Sequence, residues 1–175
     1  DNVIGFDVSA FVDFFETAQN PSLVAYDVGS RERVKSYAAV ELEGDRVANF
    51  EEKPTDPGTT LASICCYAFP ARSLDALETY LENGNNPDEP GWFMQWLSET
   101  DTVDAFTADG HWFDVGEAYA YLDAVAWELD GDSLVAPSAS LEGADIGANV
   151  HVMSGATVRD ARLERSVVFP DATIE

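Results

Sequence analysis

The chain has 175 residues, of which 33 are acidic and 9 are basic, so its formal net charge at pH 7 is −24. A charge of this size repels nucleic acid and anionic membrane surfaces, and we therefore expect neither as a partner. Hydrophobic residues make up 46% of the chain and aromatic residues 11%, which excludes an acidic disordered segment and is enough to build a buried core.

The acidic excess also indicates the setting in which the chain folds. Because salt screens the repulsion among like charges, a chain of this charge is suited to concentrated salt. The sequence opens without a basic leader and contains no apolar run long enough to span a bilayer. We therefore predict a soluble cytoplasmic protein of a halophilic cell.

Hydrophobic periodicity and turn residues predict that helices and strands alternate from Asp1 to Gly131. In chain order these are a helix over 8–19, a strand over 22–28, a hairpin over 37–52 with its turn at Gly44, a strand over 61–70, helices over 71–84 and 92–99, two short strands within 103–116 and a helix over 117–131. This alternation is typical of a layered α/β fold that binds ligands at the ends of its strands.

Cys65 and Cys66 are adjacent in the predicted strand over 61–70. Neighbouring side chains on a strand point to opposite faces, so these two thiols are badly placed to bridge, and the sequence has no CxxC spacing. We predict two buried thiols rather than a metal or redox site.

After Asp132 the sequence changes character, because an aliphatic residue recurs every five or six positions. The predicted inward positions are Val135, Leu141, Ile146, Val152, Val158, Leu163, Val168 and Ile174. Hexapeptide periods of this kind are typical of a parallel β-helix. A tail of this length supplies only about two coils, fewer than an independent solenoid needs. We therefore expect it to pack against the first domain or to form a homo-oligomer. We place the two domains at 1–131 and 132–175.

The segment "VANFEEKP" ends the predicted hairpin with Glu52, Lys53 and Pro54, and Lys53 is one of only two lysines in the chain. An ammonium group at a strand end can pair with a phosphate, and a neighbouring carboxylate can accept hydrogen bonds from sugar hydroxyls. The alternative is a surface ion pair that contributes little to stability.

Two aspartates are candidates for a metal site. Asp114 lies in "HWFDVG", between an apolar strand and a glycine that precedes a helix, and Asp1 opens the chain beside the apolar "VIGF". Two carboxylates that converge from distant segments could hold one Mg²⁺, which prefers hard oxygen ligands together with substrate phosphates. The alternative for Asp114 is that it caps the N-terminus of the following helix.

Taken in order, these segments resemble the sugar-phosphate nucleotidyltransferases, a family that includes glucose-1-phosphate thymidylyltransferase. The segments that carry the resemblance are "DN" at 1–2, "YAAVE" at 37–41, "EEKP" at 51–54, "CCYAF" at 65–69, "WFDVG" at 112–116 and the hexapeptide tail. The resemblance implies part of a Rossmann-like α/β layer fold followed by a short left-handed parallel β-helix, as in archaeal members. It also implies that the chain corresponds to the C-terminal portion of such an enzyme.

The resemblance assigns roles to six residues. Asp1 and Asp114 are implied to bind Mg²⁺, Lys53 to contact the sugar phosphate and Glu52 to contact sugar hydroxyls. Tyr37 and Ala38 are implied to form part of the wall on the sugar side. No side chain of this chain is assigned as a catalytic acid or base.

The implied reaction joins a sugar 1-phosphate to a nucleoside triphosphate. A phosphate oxygen of the sugar attacks the α-phosphorus, and pyrophosphate leaves while Mg²⁺ and basic groups stabilise the transition state. The implied product is a sugar nucleotide, with thymidylyl or uridylyl transfer to glucose 1-phosphate as the expected specificity.

The chain also departs from the family pattern. Ala38 and Cys65 stand where the family has glycine, which leaves the identity of the sugar open. The family's glycine-rich nucleotide loop, with its arginine and lysine, lies outside this sequence. We therefore expect the isolated chain to bind sugar phosphate weakly without turnover. The alternative is a non-catalytic regulatory or assembly module with the same fold.

Overall fold

The computed structural model describes all 175 residues, which divide by their internal contacts into two units. One unit is Phe6–Gly110, and the other combines Asp1–Gly5 with His111–Glu175. No helix in either unit is both long and apolar enough to cross a membrane. The domain boundary that we place between Gly131 and Asp132 stays a prediction.

The part of the chain that ends at Gly131 contains the five helices and seven of the strands. In chain order these are β1 (Asn2–Gly5), α1 (Val8–Ala18), β2 (Ser22–Asp27), α2 (Arg31–Val34), β3 (Ala38–Glu43), β4 (Arg46–Glu52), β5 (Leu61–Ala68), α3 (Ser73–Glu82), α4 (Pro90–Thr100), β6 (Asp104–Thr107), β7 (His111–Asp114) and α5 (Ala118–Leu129). The order of these elements confirms the mixed α/β class.

The unit over 6–110 is built on a five-stranded sheet in the order β2-β5-β3-β4-β6. Strand β6 also pairs in parallel with β2, so the five strands form a closed ring, and the other pairs are antiparallel. Strands β3 and β4 form the predicted hairpin, which turns at Gly44 with a φ of 64°. This hairpin sets Glu52, the last residue of β4, opposite Ala38, the first residue of β3.

Helix α4 covers this sheet and supplies much of its core. Proline occupies the first position of the helix, where its fixed φ suits the start and its missing N–H is not needed. Phe93, Met94 and Leu97 are buried against the sheet, and the ring of Tyr80 from α3 meets Phe93 edge-on at 5.3 Å between ring centroids. The same helix therefore carries the core on one face and lies beside the end of β4.

The prediction that both cysteines are buried is wrong. Cys65 is exposed and Cys66 is half-buried, and neither forms a disulfide. The register between β2 and β5 shifts here, since Leu23 pairs with Tyr67 whereas Ala25 pairs with Ser63. Cys65 lies in this bulge with a φ of 57°, so the strand is irregular here and does not bury both thiols as a regular core strand would.

In the other unit, β1 pairs antiparallel with β7, with Asn2 opposite Asp114. The indole Nε1 of Trp112 donates a hydrogen bond to Oδ1 of Asn2 at 2.8 Å. Helix α5 contacts β7, and its Trp127 lies so close to Gly5 that any larger residue at position 5 would collide with the indole ring. These contacts fix the chain's first residues beside the end of β7.

The remaining strands form three small parallel sheets. They are β8 (Ser133–Val135), β9 (Ser140–Glu142), β10 (Asp145–Ile146), β11 (Val150–Val152), β12 (Thr157–Arg159), β13 (Arg162–Leu163), β14 (Ser166–Val168) and β15 (Thr173–Ile174). The sheet orders are β14-β11-β8, β15-β12-β9 and β10-β13. Each strand from β8 to β12 therefore pairs with the third strand after it along the chain, so three successive strands make one repeat.

The predicted inward positions of this tail are register partners of one another. Val152 pairs with Val135 and Val168, and Val158 pairs with Leu141 and Ile174. Seven of the eight predicted positions belong to the apolar cluster, and the exception is Leu141, which is 41% exposed. Val150 and Ala156 are fully buried in the cluster although the hexapeptide count missed them.

Candidate functional site

The first half of the candidate site forms where β4 ends. Lys53 has a φ of 47°, in the left-handed region, and its N–H donates a hydrogen bond to the carbonyl of Tyr37 at 2.9 Å. The next residue, Pro54, is fully buried and cannot continue the strand. The chain therefore turns sharply at Lys53 and presents its side chain at the strand end.

The ammonium group of Lys53 is paired with the carboxylate of Glu89, the residue just before α4. Glu89 also accepts hydrogen bonds through Oε2 from Nε1 of Trp92 at 3.0 Å and from Nδ2 of Asn86 at 3.3 Å. The hydrogen bond from Lys53 lowers the pKa of Glu89, and the same bond raises the pKa of Lys53. Both side chains are about half exposed, so the ion pair that we gave as the alternative reading is present.

Glu52 lies half-buried next to this pair. Its backbone N–H donates to Oε1 of Gln95 in α4 at 2.9 Å. Burial raises the pKa of its carboxyl group, Lys53 partly opposes that shift, and the negative charge of Glu89 adds to it. Its carboxylate lies against the first turn of α4, where Gly91 is buried and a β-carbon at position 91 would overlap the carboxylate oxygens.

The predicted wall residues occupy different environments. Tyr37 is half-buried, whereas Ala38 is only 3% exposed and packs within the sheet, with Ser63 and Glu52 as its register partners. Ala38 therefore adds little more than backbone to any surface here.

Tyr67 and Cys65 lie on the neighbouring strand β5. The hydroxyl of Tyr67 lies 3.3 Å from Oγ of Ser63 and 3.8 Å from Sγ of Cys65. Burial raises the pKa of Tyr67, and the neighbouring Cys65 and Glu52 raise it further. Tyr67 is thus a neutral phenol beside the bulge of β5, near enough to Glu52 to be affected by its charge.

The second half of the candidate site forms where β7 ends. The carbonyl of Asp1 accepts a hydrogen bond from the N–H of Val115 at 2.9 Å, and Oδ1 of Asp114 accepts one from the N–H of Gly116 at 3.3 Å. The carboxylates of Asp1 and Asp114 both face Gly116, because Oδ1 of Asp114 and Oδ2 of Asp1 lie 3.4 and 3.7 Å from the point where a β-carbon at position 116 would stand. The two predicted ligands are therefore neighbours.

Asp114 is not the N-cap of the next helix. Helix α5 begins at Ala118, and its N-cap residue is Glu117, whose side chain makes no capping hydrogen bond. The capping alternative for Asp114 is thus wrong, and its carboxylate remains available for another role.

The chemistry of this aspartate pair fits Mg²⁺. No cluster of three or more His, Cys, Asp or Glu side chains that could hold a metal occurs in the chain. Two carboxylates are nevertheless a usual protein contribution to a magnesium site, because the ion keeps several waters and takes its remaining ligands from substrate phosphates. Asp1 and Asp114 are the residues that would hold the ion.

Sequence reasoning missed three residues of the first half-site, namely Glu89, Gly91 and Gln95. Each owes its place to α4, since Glu89 precedes the helix and the other two lie on the face next to β4. The signal that was available is "EPG" at 89–91, in which proline marks the first helical position and a glycine follows where a better helix former would be expected. The two half-sites belong to different units, so their meeting in one cleft stays a prediction.

Comparison with known proteins identifies the family of this chain. Residues 1–130 match the model of the nucleotidyl transferase family. A glucose-1-phosphate adenylyltransferase of Thermosipho africanus is 28% identical over 129 residues, which is 71% of this chain and 31% of that protein. The low-salt glycan biosynthesis nucleotidyltransferase Agl11 of Haloferax volcanii is 27% identical over 143 residues, which is 77% of this chain and 38% of that protein.

A solved structure shares the fold. A protein of Bacillus anthracis described as a glucose-1-phosphate thymidylyltransferase, in complex with sucrose, superposes with a TM-score of 0.61 at 16% identity, over 71% of this chain and 50% of that chain. The chain spans about a third of the length of the curated relatives that it matches. Because the family model covers well over half of its residues, the chain belongs to the nucleotidyl transferase family.

Proposed function

We propose that this chain is the sugar-phosphate-binding and magnesium-binding part of a sugar-1-phosphate nucleotidyltransferase. The observation that carries the proposal is that the half-buried Glu52 is followed directly by Lys53, whose ammonium already holds the carboxylate of Glu89 at the end of β4. An ammonium next to a partly desolvated carboxylate can hold a phosphate and the sugar hydroxyls of the same small molecule.

In this proposal each residue has a simple task. Lys53 holds the phosphate of the sugar 1-phosphate, and Glu52 accepts hydrogen bonds from the sugar hydroxyls. Tyr37 and the backbone at Ala38 line the sugar side. Asp1 and Asp114 hold Mg²⁺, which when bound neutralises negative charge on the reacting phosphates.

The bond changes follow from the substrates. An oxygen of the sugar phosphate forms a bond to the α-phosphorus of the triphosphate while the bond from that phosphorus to the bridging oxygen breaks, and pyrophosphate leaves with the electron pair. Positioning and charge neutralisation supply the rate enhancement, so no side chain needs to act as acid or base. We expect this turnover only where a nucleotide-binding half completes the site.

The finer specificity is part of the proposal. The names of the adenylyltransferase and of the thymidylyltransferase specify glucose 1-phosphate as the sugar substrate but differ in the nucleotide, whereas the name of Agl11 specifies neither. We propose glucose 1-phosphate as the sugar and thymidylyl or uridylyl transfer as the reaction. Assays with the complete enzyme and each triphosphate in turn decide the nucleotide, and a preference for ATP would refute this part.

We also propose that the tail over 132–175 is a left-handed β-helix that contributes to a homo-oligomer. The support is the pairing of each strand with the third strand after it, which places one short strand of each sheet in every turn. Sedimentation velocity on the chain with and without the segment from Ser133 to Glu175 tests the role of the tail in a homo-oligomer. Loss of the tail should shift an oligomer to monomer.

The net charge of −24 supports a further part of the proposal, namely a halophilic cytoplasm. Screening weakens the repulsion among the acidic residues, so the chain should be more stable at high salt. Thermal unfolding in about 0.2 M and about 2 M KCl checks this expectation. An unchanged midpoint would contradict the assignment.

The decisive experiment measures glucose 1-phosphate binding to the chain by isothermal titration calorimetry. Replacing Lys53 with alanine removes a charge-assisted hydrogen bond and should weaken binding about tenfold or more. The matched control is Lys35→Ala, because Lys35 is the other lysine and pairs with Glu32 on the surface of a short helix. Equal binding by the Lys53 variant and the native chain would contradict the proposal.

A further inference from the structure

The anion-binding groups of the first half-site are already occupied by a side chain of the protein. Three donors meet on the carboxylate of Glu89: the ammonium of Lys53, the indole N–H of Trp92 and the amide of Asn86. Two of these donors are neutral and come from residues for which neither the sequence motifs nor the comparisons suggest a role. A cation and two N–H donors that converge on one carboxylate have the composition of a site for a tetrahedral anion.

We propose that Lys53, Trp92 and Asn86 form one phosphate-binding cradle, in which Glu89 is a resident carboxylate that the phosphate of the substrate displaces. The inference rests on the proposed function, since it names further residues for the same sugar-phosphate site. It assigns Trp92 and Asn86 as phosphate contacts and Glu89 as the residue that limits the affinity for phosphate.

Displacement of Glu89 is energetically reasonable. Lys53 and Glu89 are 50% and 42% exposed, and ion pairs at this level of exposure contribute little to stability. Glu89 precedes the first residue of α4 in an extended conformation, and its side chain makes no capping hydrogen bond to the helix. When its carboxylate leaves, the hydrogen bond from Trp92 in the first turn of α4 breaks and a phosphate oxygen can replace it. The buried contacts of Phe93, Met94 and Leu97, which hold α4 on the sheet, are not affected.

The exchange also favours phosphate over a carboxylate ligand. A sugar phosphate carries up to two negative charges and more acceptor oxygens than a carboxylate, so it can satisfy all three donors at once. A neutral sugar carries no negative charge with which to compete against the Glu89 carboxylate for Lys53. The cradle should thus discriminate between sugar phosphates and free sugars.

The test removes the charge of the resident side chain. In the Glu89→Gln variant the amide keeps the shape of the side chain but competes less strongly for Lys53, so the affinities for glucose 1-phosphate and for inorganic phosphate should rise about threefold to fivefold. The affinity for glucose should not change. The matched control is Glu51→Gln, which removes the same charge from an exposed position of β4 close to Lys53 in the sequence.

A second substitution tests the neutral donors. Adding Trp92→Phe to Glu89→Gln removes the indole N–H and should cancel most of the gained phosphate affinity. Circular dichroism and thermal unfolding of each variant verify that α4 and the core remain folded. The cradle is supported if Glu89→Gln gains affinity for both glucose 1-phosphate and inorganic phosphate but not for glucose, and if Glu51→Gln gains none.

The inference and the proposed function fail in different ways. If Lys53→Ala does not weaken glucose 1-phosphate binding, the proposed function is wrong. A different result is that binding depends on Lys53 while Glu89→Gln fails to strengthen glucose 1-phosphate binding more than Glu51→Gln does. In that case the cradle is wrong and the proposed function stands. If Trp92→Phe leaves the gain intact, the assignment of Trp92 is overturned.

Discussion

The two half-sites differ in how their charges are balanced. At the end of β4, Lys53 is paired with Glu89, the N–H of Glu52 donates to Gln95 of α4, and Trp92 of α4 donates to Glu89. At the end of β7, the carboxylates of Asp1 and Asp114 face the same glycine, and no lysine or arginine pairs with either. The first half-site is therefore suited to exchange one anion for another, whereas the second attracts a cation.

This difference predicts that metal and sugar phosphate depend on different residues. The Asp114→Asn variant should lower the affinity for Mg²⁺ about tenfold or more, because one of the two carboxylates proposed to bind the ion loses its charge. Glucose 1-phosphate binding without metal should not change. Isothermal titration calorimetry with MgCl₂ measures the effect.

The control for this prediction is Asp109→Asn, an exposed aspartate in the loop before β7. It removes the same charge from the chain but lies outside the aspartate pair. Equal losses of Mg²⁺ affinity in the two variants would show that the net charge of the protein, rather than the pair, attracts the ion.

The second prediction contrasts two glycines. An alanine at position 91 would overlap the Glu52 carboxylate, whereas an alanine at position 116 would make ordinary contacts with the oxygens of Asp114 and Asp1. Gly91→Ala should therefore displace Glu52 and weaken glucose 1-phosphate binding about threefold to tenfold, with little loss of stability because alanine favours the helix.

Gly116→Ala is the matched variant for this test. Its backbone does not adopt a positive φ, and its extra methyl group meets no neighbour at close range, so both Mg²⁺ and glucose 1-phosphate binding should stay near the native level. Titrations of both variants with both ligands check the contrast. If Gly91→Ala binds sugar phosphate as tightly as the native chain, Glu52 does not hold the sugar.

Local patterns in the sequence were sufficient to predict the elements and much of the tail. The β3–β4 hairpin with its turn at Gly44, helix α4 and seven of the eight inward positions of the tail follow from periodicity and turn chemistry, which are properties of neighbouring residues. The family was also confirmed, because its motifs recur in a fixed order along the chain.

What the sequence did not reveal depends on contacts between distant segments. The bulge that exposes Cys65 results from a register shift between β2 and β5, and neither strand carries a local signal for it. The partner of Lys53 is Glu89, 36 residues further along the chain, and its choice among the many acidic residues is made by the packing of α4 on β4. Tertiary contacts of this kind leave no periodic pattern in the sequence.

The smallest expected effect concerns the stability of the first half-site. Burial raises the pKa of Glu52, so the protonated form is favoured in the folded chain. The stabilisation that follows is complete below the ordinary pKa of a glutamate and is lost as the pH rises through the raised value. At neutral pH the buried charge therefore costs stability, and Glu52→Gln should increase the free energy of unfolding there by less than about 1 kcal/mol, since the side chain is half exposed and solvent screens its charge.

Urea denaturation of Glu52→Gln and the native chain at several pH values measures this difference, with Glu51→Gln as the exposed control. The gain should shrink as the pH falls from about 7 towards about 4, because the native glutamate then becomes neutral as well. A gain of the same size at every pH would mean that packing rather than charge sets the stability of this position. A gain confined to neutral pH, together with weaker sugar-phosphate binding, would show that the chain keeps at the end of β4 a destabilising carboxylate that ligand binding requires.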